Sequence, residues 1–308
     1  MSAWDLEGRT VLITGGARGI GLETGRGLAA RGARVALLDI DAAALDDAVA
    51  GVAGARAFVA DVTDEASMAA AVAGVVEAFG GIDVVMANAG IAPLGLLRHI
   101  DPAVFERTWD INFVGAWRTI RLTLPHVIER RGYVLAVASL AAPLPAPTMA
   151  SYGPSKAAVE SLANVLRVEV RHLGVDVGVA YFGFMDTDMV RGVEDRPLYR
   201  MLREAIKPPI GKTYPARLAI DAAVRGIERR SRLVFAPRWV RGAIAARTGL
   251  QRIAERDAAK FLPAADAAFA AEVREQGAAA ASRPSGPGGE AGMDDALRAT
   301  PERSGSGR

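Results

Sequence analysis

Arg9 to Thr14 is a strand-like apolar run (Val11, Leu12, Ile13) that passes directly into Gly15-Gly16-Ala17-Arg18-Gly19-Ile20-Gly21, and a helical pattern from Leu22 to Arg31 follows at once. This strand, glycine turn and helix constrain the fold more than any other feature, because a buried strand that feeds a helix in this way returns to a parallel neighbour. The neighbour is present as Val35 to Leu38, which ends in Asp39. Glycines let the backbone approach a phosphate closely, and the free N–H groups and positive dipole at the helix start attract its charge. The spacing Gly15-x-x-x-Gly19-x-Gly21 differs from the commoner G-x-G-x-x-G but serves the same physics, so the turn reads as a pyrophosphate cradle for a dinucleotide.

Further strands are expected over Arg56–Ala60, Ile82–Met86, Tyr133–Ala138, Val175–Tyr181 and Leu233–Ala236, with helical runs over Met68–Phe79, Pro102–Arg131 and Pro215–Arg230. Such alternation predicts an α/β protein with a parallel sheet, helices on both faces and ligands at the carboxyl ends of the strands. A chain of 308 residues with 51% hydrophobic content can bury one large core or two modest ones. Cysteine is absent and the three histidines, His99, His126 and His172, are scattered, so no metal site is expected. A formal charge of +2 makes no case for nucleic acid. The first residues lack a basic and then apolar leader, and no run is long enough to cross a bilayer, so a soluble, cytoplasmic protein is expected.

Asp39 at the end of the second strand is placed to accept hydrogen bonds from both hydroxyls of an adenosine ribose and to repel a 2′-phosphate, which selects NAD over NADP. Arg18 argues for NADP, as a cation in the glycine turn; Ile40, where a second cation would help it, leaves the balance with Asp39. Asp61 and Val62 end the third strand and face the adenine edge, with a helix cap as the alternative role for Asp61. Asn88-Ala89-Gly90 ends the fourth strand with small residues that let the backbone pass beside a cofactor. Asn112 lies within the long helical run, and Ser139 ends the fifth strand thirteen positions before Tyr152. Tyr152-Gly153-Pro154-Ser155-Lys156 puts a phenol and an ammonium on one helical face, where a fixed positive charge favours the phenolate and makes Tyr152 a candidate general acid/base.

Taken together, Thr14 to Gly21, Asn88-Ala89-Gly90, Asn112, Ser139 and Tyr152 with Lys156 resemble the classical short-chain dehydrogenase/reductase family over roughly residues 6–237. The resemblance implies a doubly wound Rossmann fold with a seven-stranded parallel sheet. It also implies that Tyr152 is the acid/base, that Lys156 lowers its pKa and binds the nicotinamide ribose, and that Ser139 holds the substrate oxygen. Asn112 would complete a proton relay from Lys156 to water through its backbone and side chain. In Phe182-Gly183-Phe184-Met185-Asp186-Thr187, Gly183 and Thr187 match the family's cofactor loop and Thr187 would reach the carboxamide. Phe182 replaces a proline, so this loop is expected to start from a less rigid backbone.

Residues 188–212 lack a strong period and are expected to form a substrate lid with Met189, Val193, Leu198, Tyr199, Met201, Leu202 and Ile206, facing Leu94, Leu96, Leu97, Leu140, Ala141, Leu144, Pro145 and Met149 across a pocket for an apolar alcohol or ketone. The catalytic and dinucleotide-binding domain is read as 1–237, followed by a basic, amphipathic helical extension over 238–276. Seventeen Lys and Arg against nine Asp and Glu between Asp186 and Lys260 make peripheral membrane contact through 238–261 conceivable, although a dimer contact or lid extension accounts for the same residues. Residues 277–308, rich in alanine, glycine, serine and proline, read as a disordered tail. Apolar stripes at Trp109, Phe113 and Trp117 and at Val159, Leu162 and Leu166 suggest a homodimer or homotetramer. The expected function is hydride transfer between nicotinamide and a secondary alcohol or ketone; a non-catalytic redox sensor that keeps the dinucleotide site is the alternative, distinguished by a panel of alcohols with NAD.

Overall fold

The computed structural model describes residues 4–299. Strands β1 (Thr10–Thr14), β2 (Arg34–Asp39), β3 (Arg56–Val59), β4 (Val84–Ala87), β5 (Tyr133–Val137) and β6 (Asp176–Phe182) are followed by the short pair β7 (Met185–Asp186) and β8 (Tyr214–Pro215), and by β9 (Leu233–Ala236). Seven of them form one parallel sheet in the order β3-β2-β1-β4-β5-β6-β9. The apolar runs of β1, β4 and β5 are buried throughout, as strands covered on both faces must be. Between strands lie α1 (Gly19–Ala29), α2 (Ala42–Ala50), α3 (Glu65–Phe79), α4 (Pro102–Trp109), α5 (Gly115–Glu129), α6 (Tyr152–Val170), α7 (Asp188–Arg191), α8 (Pro197–Ala205) and α9 (Arg217–Glu228). Separate apolar clusters cover the two faces of the sheet. Chain order reverses between β1 and β4, which opens a crevice at their carboxyl ends.

The single long helix expected from Pro102 to Arg131 is interrupted by a π-helical turn at Asp110–Val114, which holds Asn112. The bulge lies where Gly115 meets Val62; a Cβ at Gly115 would come 2.7 Å from a Val62 methyl. Phe182 also departs from expectation. It pairs with Ala236 in the ladder and its carbonyl accepts from Leu140 N at 2.9 Å, so the loop that follows starts from backbone fixed on both sides. The strand hydrogen bonds supply the rigidity for which a proline is not needed.

Beyond β9, α10 (Val240–Ala245) and the 30-residue α11 (Arg247–Gln276) form the helical extension. Most of their large apolar residues pack on the fold: Val240 is in the core, Trp239, Ile244 and Leu250 pack against it, and Ile253 stays exposed. Among the described residues no helix is long and apolar enough to cross a membrane. Ala265 and Phe269 join Leu198, Tyr199 and Leu202 in a third cluster, so α11 clamps the lid helix α8. The lid segment has a clear helical period after all, since Leu198, Tyr199 and Leu202 share the buried face of α8.

The tail also differs from expectation. Residues 278–282 form α12 and residues 287–299 form α13, docked against α4 and α7. Ala281, Ser282 and Met293 are fully buried. Composition misled here because glycine and alanine serve as close-contact surfaces: a Cβ at Gly292 would lie 3.3 Å from both Ile91 and Ile111. The remainder of the tail, 300–308, lies outside the described residues.

Candidate functional site

The crevice holds two cavities that share Ile20, Asn88, Gly90, Thr187 and Met189. The smaller, about 210 Å³, runs from Gly15, Arg18 and Gly19 to Asp39, Asp61 and Val62, with Ala89 on its floor. The larger, about 500 Å³, holds Ser139, Tyr152, Lys156 and Gly183 at its inner end. Of the site residues expected from sequence, only Gly21 and Asn112 line neither cavity, and both stand directly behind its wall.

The glycine turn is built to leave space. Gly15 and Gly19 have φ of +63° and +57°, and nothing lies within 4 Å of the position a Gly19 side chain would take. A Cβ at Gly21 would sit 2.1 Å from the Gly15 carbonyl, so its role is to let α1 pack against the turn. The α1 N-terminus carries no side-chain cap and no acidic residue in its first turn, which leaves its N–H groups for an anion. Thr14, at the end of β1, ties the turn to the next loop by accepting from Asn88 N at 3.1 Å and Ala89 N at 3.2 Å. Asn88 reaches back to the carbonyls of Thr14 and Gly15 at 3.0 and 3.1 Å. Its side chain is therefore a brace for the two loops.

Asp39 ends β2 and accepts from Ala17 N at 3.1 Å and Asp41 N at 3.2 Å. Arg18, the expected competitor, pairs with Asp41 at 2.5 Å. Asp41 also caps α2 through Ala44 N, and these bonds hold its carboxyl below the usual range, the backbone bond being the larger cause. Asp41 was not identified from sequence, because its partner is fixed only when α1 and α2 come together. Asp61 accepts from Thr63 N and Thr63 Oγ1, both at 2.8 Å, and lies 3.7 Å from Arg107. The cap of α3 is Asp64, so Asp61 remains at the cavity wall. A bare helix N-terminus, glycines open to the crevice and a carboxylate at the end of β2 fit a dinucleotide laid across it.

At the other end, α6 starts with Tyr152 and brings Lys156 one turn on. Lys156 is 4% exposed and donates to the Val137 carbonyl at 2.9 Å. Burial pushes its pKa from 10.5 down to about 8. Its nitrogen stands 5.9 Å from the Tyr152 ring centre. Burial pushes the Tyr152 phenol above its ordinary value, and the opposing influence is a hydrogen bond from the Ser139 hydroxyl, not the lysine charge. The Lys156 ammonium faces the Val137 carbonyl, and desolvation dominates at the Tyr152 phenol. The Ser139 hydroxyl also accepts from Ala141 N at 3.1 Å.

Asn112 is fully buried. Its amide is consumed as a clamp: Oδ1 accepts from Ile91 N at 2.8 Å, while Nδ2 donates to the Ile91 carbonyl at 2.9 Å and to Ser155 Oγ at 3.0 Å. Ser155 in turn donates to the Tyr152 carbonyl at 2.8 Å, which fixes the first turn of α6. A Cβ at Gly90 would come 3.0 Å from Asn112 Oδ1 and 3.2 Å from Lys156 Nζ, so glycine is needed for these groups to converge. Thr187 precedes α7, donates to the Met185 carbonyl at 3.3 Å and borders both cavities.

Beyond this end the large cavity is mostly apolar, with Lys207 and Asp257 as the charged residues of its lid side. Met189, Val193, Tyr199, Leu202 and Ile206 line it from the lid side, opposite Leu94, Leu140, Ala141, Leu144, Pro145 and Met149. Leu198 belongs to the core beneath and Leu97 is exposed. Met201 and Leu96 pack at the edge of the lid cluster. A further wall is α11, which adds Leu250, Ile253, Ala254, Ala258 and Phe261, in line with the lid extension given as one account of these residues. Its helical spacing was legible, but which face met the lid was not.

The short chain dehydrogenase family model matches residues 9–197, which span the glycine turn, Ser139 and the Tyr152–Lys156 pair. Oxidoreductase UcpA of Salmonella typhimurium is 37% identical over 229 residues, covering 70% of this chain and 84% of that protein. The 2,3-dihydro-2,3-dihydroxybenzoate dehydrogenase of Bacillus subtilis is 32% identical over 194 residues, or 61% and 74% of the two chains. Among solved structures, 3-ketoacyl-(acyl-carrier-protein) reductase from Brucella melitensis complexed with NADH superposes with a TM-score of 0.67 at 26% identity, over 75% of this chain and 97% of that one. The chain belongs to the short-chain dehydrogenase/reductase family of oxidoreductases.

Proposed function

We propose that the protein uses NAD(H) to interconvert an apolar secondary alcohol and its ketone, with Tyr152 as the proton donor and acceptor. The observation that carries this reading is the meeting of Ser139, Tyr152 and Lys156 in a mostly apolar cavity that shares a wall with the glycine-lined cleft. The cofactor supplies the hydride, at C4 of nicotinamide. Gly15, Gly19 and the α1 N-terminus hold the pyrophosphate, Asp39 takes the adenosine ribose, and Lys156 and Thr187 take the nicotinamide end. Ser139 positions the substrate oxygen by a hydrogen bond, and Tyr152 gives that oxygen a proton in reduction or removes it in oxidation. The pairing of Arg18 with Asp41 supports NAD over NADP, since the cation that would meet a 2′-phosphate is already neutralised.

The α8–α11 lid covers the cavity mainly with apolar side chains, which supports an apolar substrate. The test is a panel of hydrophobic ketones with NADH at pH 7, followed by absorbance at 340 nm. Turnover with cyclic or long-chain ketones is expected. Tight NADH binding with no turnover on any ketone or alcohol would replace this reading by the sensor function.

A further inference from the structure

The segment that sequence composition marked as a tail lies across the adenosine half of the cleft. Ser285, Gly286, Gly288, Gly289 and Gly292 line the smaller cavity opposite the strand ends. Four of these five are glycine, so the segment presents mostly backbone to the space. It is firmly seated. Asp101 N donates to Ser282 Oγ at 3.2 Å, and Arg196 donates to the carbonyls of Ala281 and Arg283 while pairing with Glu272 at 3.0 Å. Gly286, with φ +84°, packs on the Asp188 carbonyl at the edge of the nicotinamide end.

One guanidinium joins this segment to the adenine wall. Arg107 Nε donates to the Gly292 carbonyl at 2.9 Å, Nη1 donates to Thr63 Oγ1 at 2.7 Å, and Nη2 lies 3.7 Å from Asp61. Beside it, Met293 is buried in the main core and Gly292 rests on Ile91 and Ile111. Without residues 283–293 the adenosine end of the crevice would open to solvent. Gly277, at φ +86°, separates α11 from α12, whose buried Ala281 and Ser282 anchor the start of the segment.

We infer that residues 283–293 form a strap that closes the adenosine end of the dinucleotide cleft, latched by Arg107, and that the strap must lift for the cofactor to enter or leave. The inference rests on the dinucleotide reading of the cleft given above. It makes Arg107 a positioning residue, acting through the Gly292 carbonyl, and it makes cofactor exchange a gated step.

The test is stopped-flow fluorescence of NADH association and dissociation on the full-length chain, comparing wild type with Arg107→Met, Gly292→Leu and Glu290→Gln. Arg107→Met removes the latch, and Gly292→Leu cannot be seated between Ile91 and Ile111. Both are expected to speed dissociation by roughly tenfold and to speed association as well, because a lifted gate eases passage both ways. Exposed Glu290 should be neutral to substitution. Faster dissociation with unchanged association would mean only a damaged pocket and would overturn the gate, as would rates equal to wild type in both variants. Wild-type protein that binds no NADH would remove the dinucleotide reading, and the strap's function with it.

Discussion

Lys156 carries its charge into the protein interior, and the consequence is measurable without any substrate. Its pKa falls from 10.5 to about 8 through burial alone. That depression corresponds to about 3 kcal/mol by which the protonated lysine destabilises the cofactor-free fold at neutral pH. Because the folded-state pKa is the lower one, the folded protein sheds this proton near pH 8 while the unfolded chain keeps it to 10.5. The unfolded state therefore binds more protons in that window, and stability rises with pH across it. Between pH 7 and 9.5 the wild type should gain about 2 kcal/mol that Lys156→Met, with no proton to lose, does not gain. Urea denaturation of both proteins at the two pH values isolates this difference, since all other titrating groups are shared. A wild-type-minus-variant difference that does not change with pH would refute the claim that Lys156 is held charged against its burial. The same substitution should weaken NADH binding and abolish turnover, as expected for a residue whose cost to stability is kept for function.

Cofactor preference should respond to two carboxylates, not one. Asp39→Ala should weaken NAD by the loss of charge-assisted hydrogen bonds worth roughly 1.5–3 kcal/mol each, measured by NADH titration, and a preference for NADPH in the unmodified protein would contradict the assignment. NADP affinity should rise further in Asp39→Ala/Asp41→Ala, because Arg18 is then released to meet the 2′-phosphate; no added gain over the single variant would mean that Arg18 points elsewhere. Oxidation of an alcohol with NAD should accelerate as pH rises above neutrality, since Tyr152 must lose a proton held by burial, whereas a flat profile from pH 7 to 10 would remove it as the base. Light scattering should show a homodimer or homotetramer at micromolar concentration, with Trp117, Val165 and Val168 (40, 53 and 78% exposed) as the apolar residues left for the contact. Val159 and Leu166, first considered for that role, are buried within the subunit.

Much of the fold was legible because a parallel strand covered on both faces must be apolar along its length, and Val11-Leu12-Ile13 or Val84-Val85-Met86 admit few other readings. The site was legible where backbone geometry requires one residue type, as at Gly15, Gly19 and Gly90. It was not legible where a side chain's partner is set by packing of distant elements. Asn112 stands among apolar neighbours in either reading, and only the π-turn shows that its amide is clamped between Ile91 and Ser155. Arg18 looked free until α2 brought Asp41 to it. The tail failed for a different reason: large apolar residues signal burial by hydrophobicity, whereas Gly286, Gly288 and Gly292 are buried or apposed because they are small.

The central claim is that Tyr152 moves the proton while the glycine cleft holds the cofactor, and comparison of Tyr152→Phe with wild type separates the two. With a hydrophobic ketone found to be turned over by the wild type, the variant should lose at least a thousandfold in kcat, within the scale of general acid catalysis, while its dissociation constant for NADH stays within about twofold. Wild-type turnover by Tyr152→Phe would contradict the account.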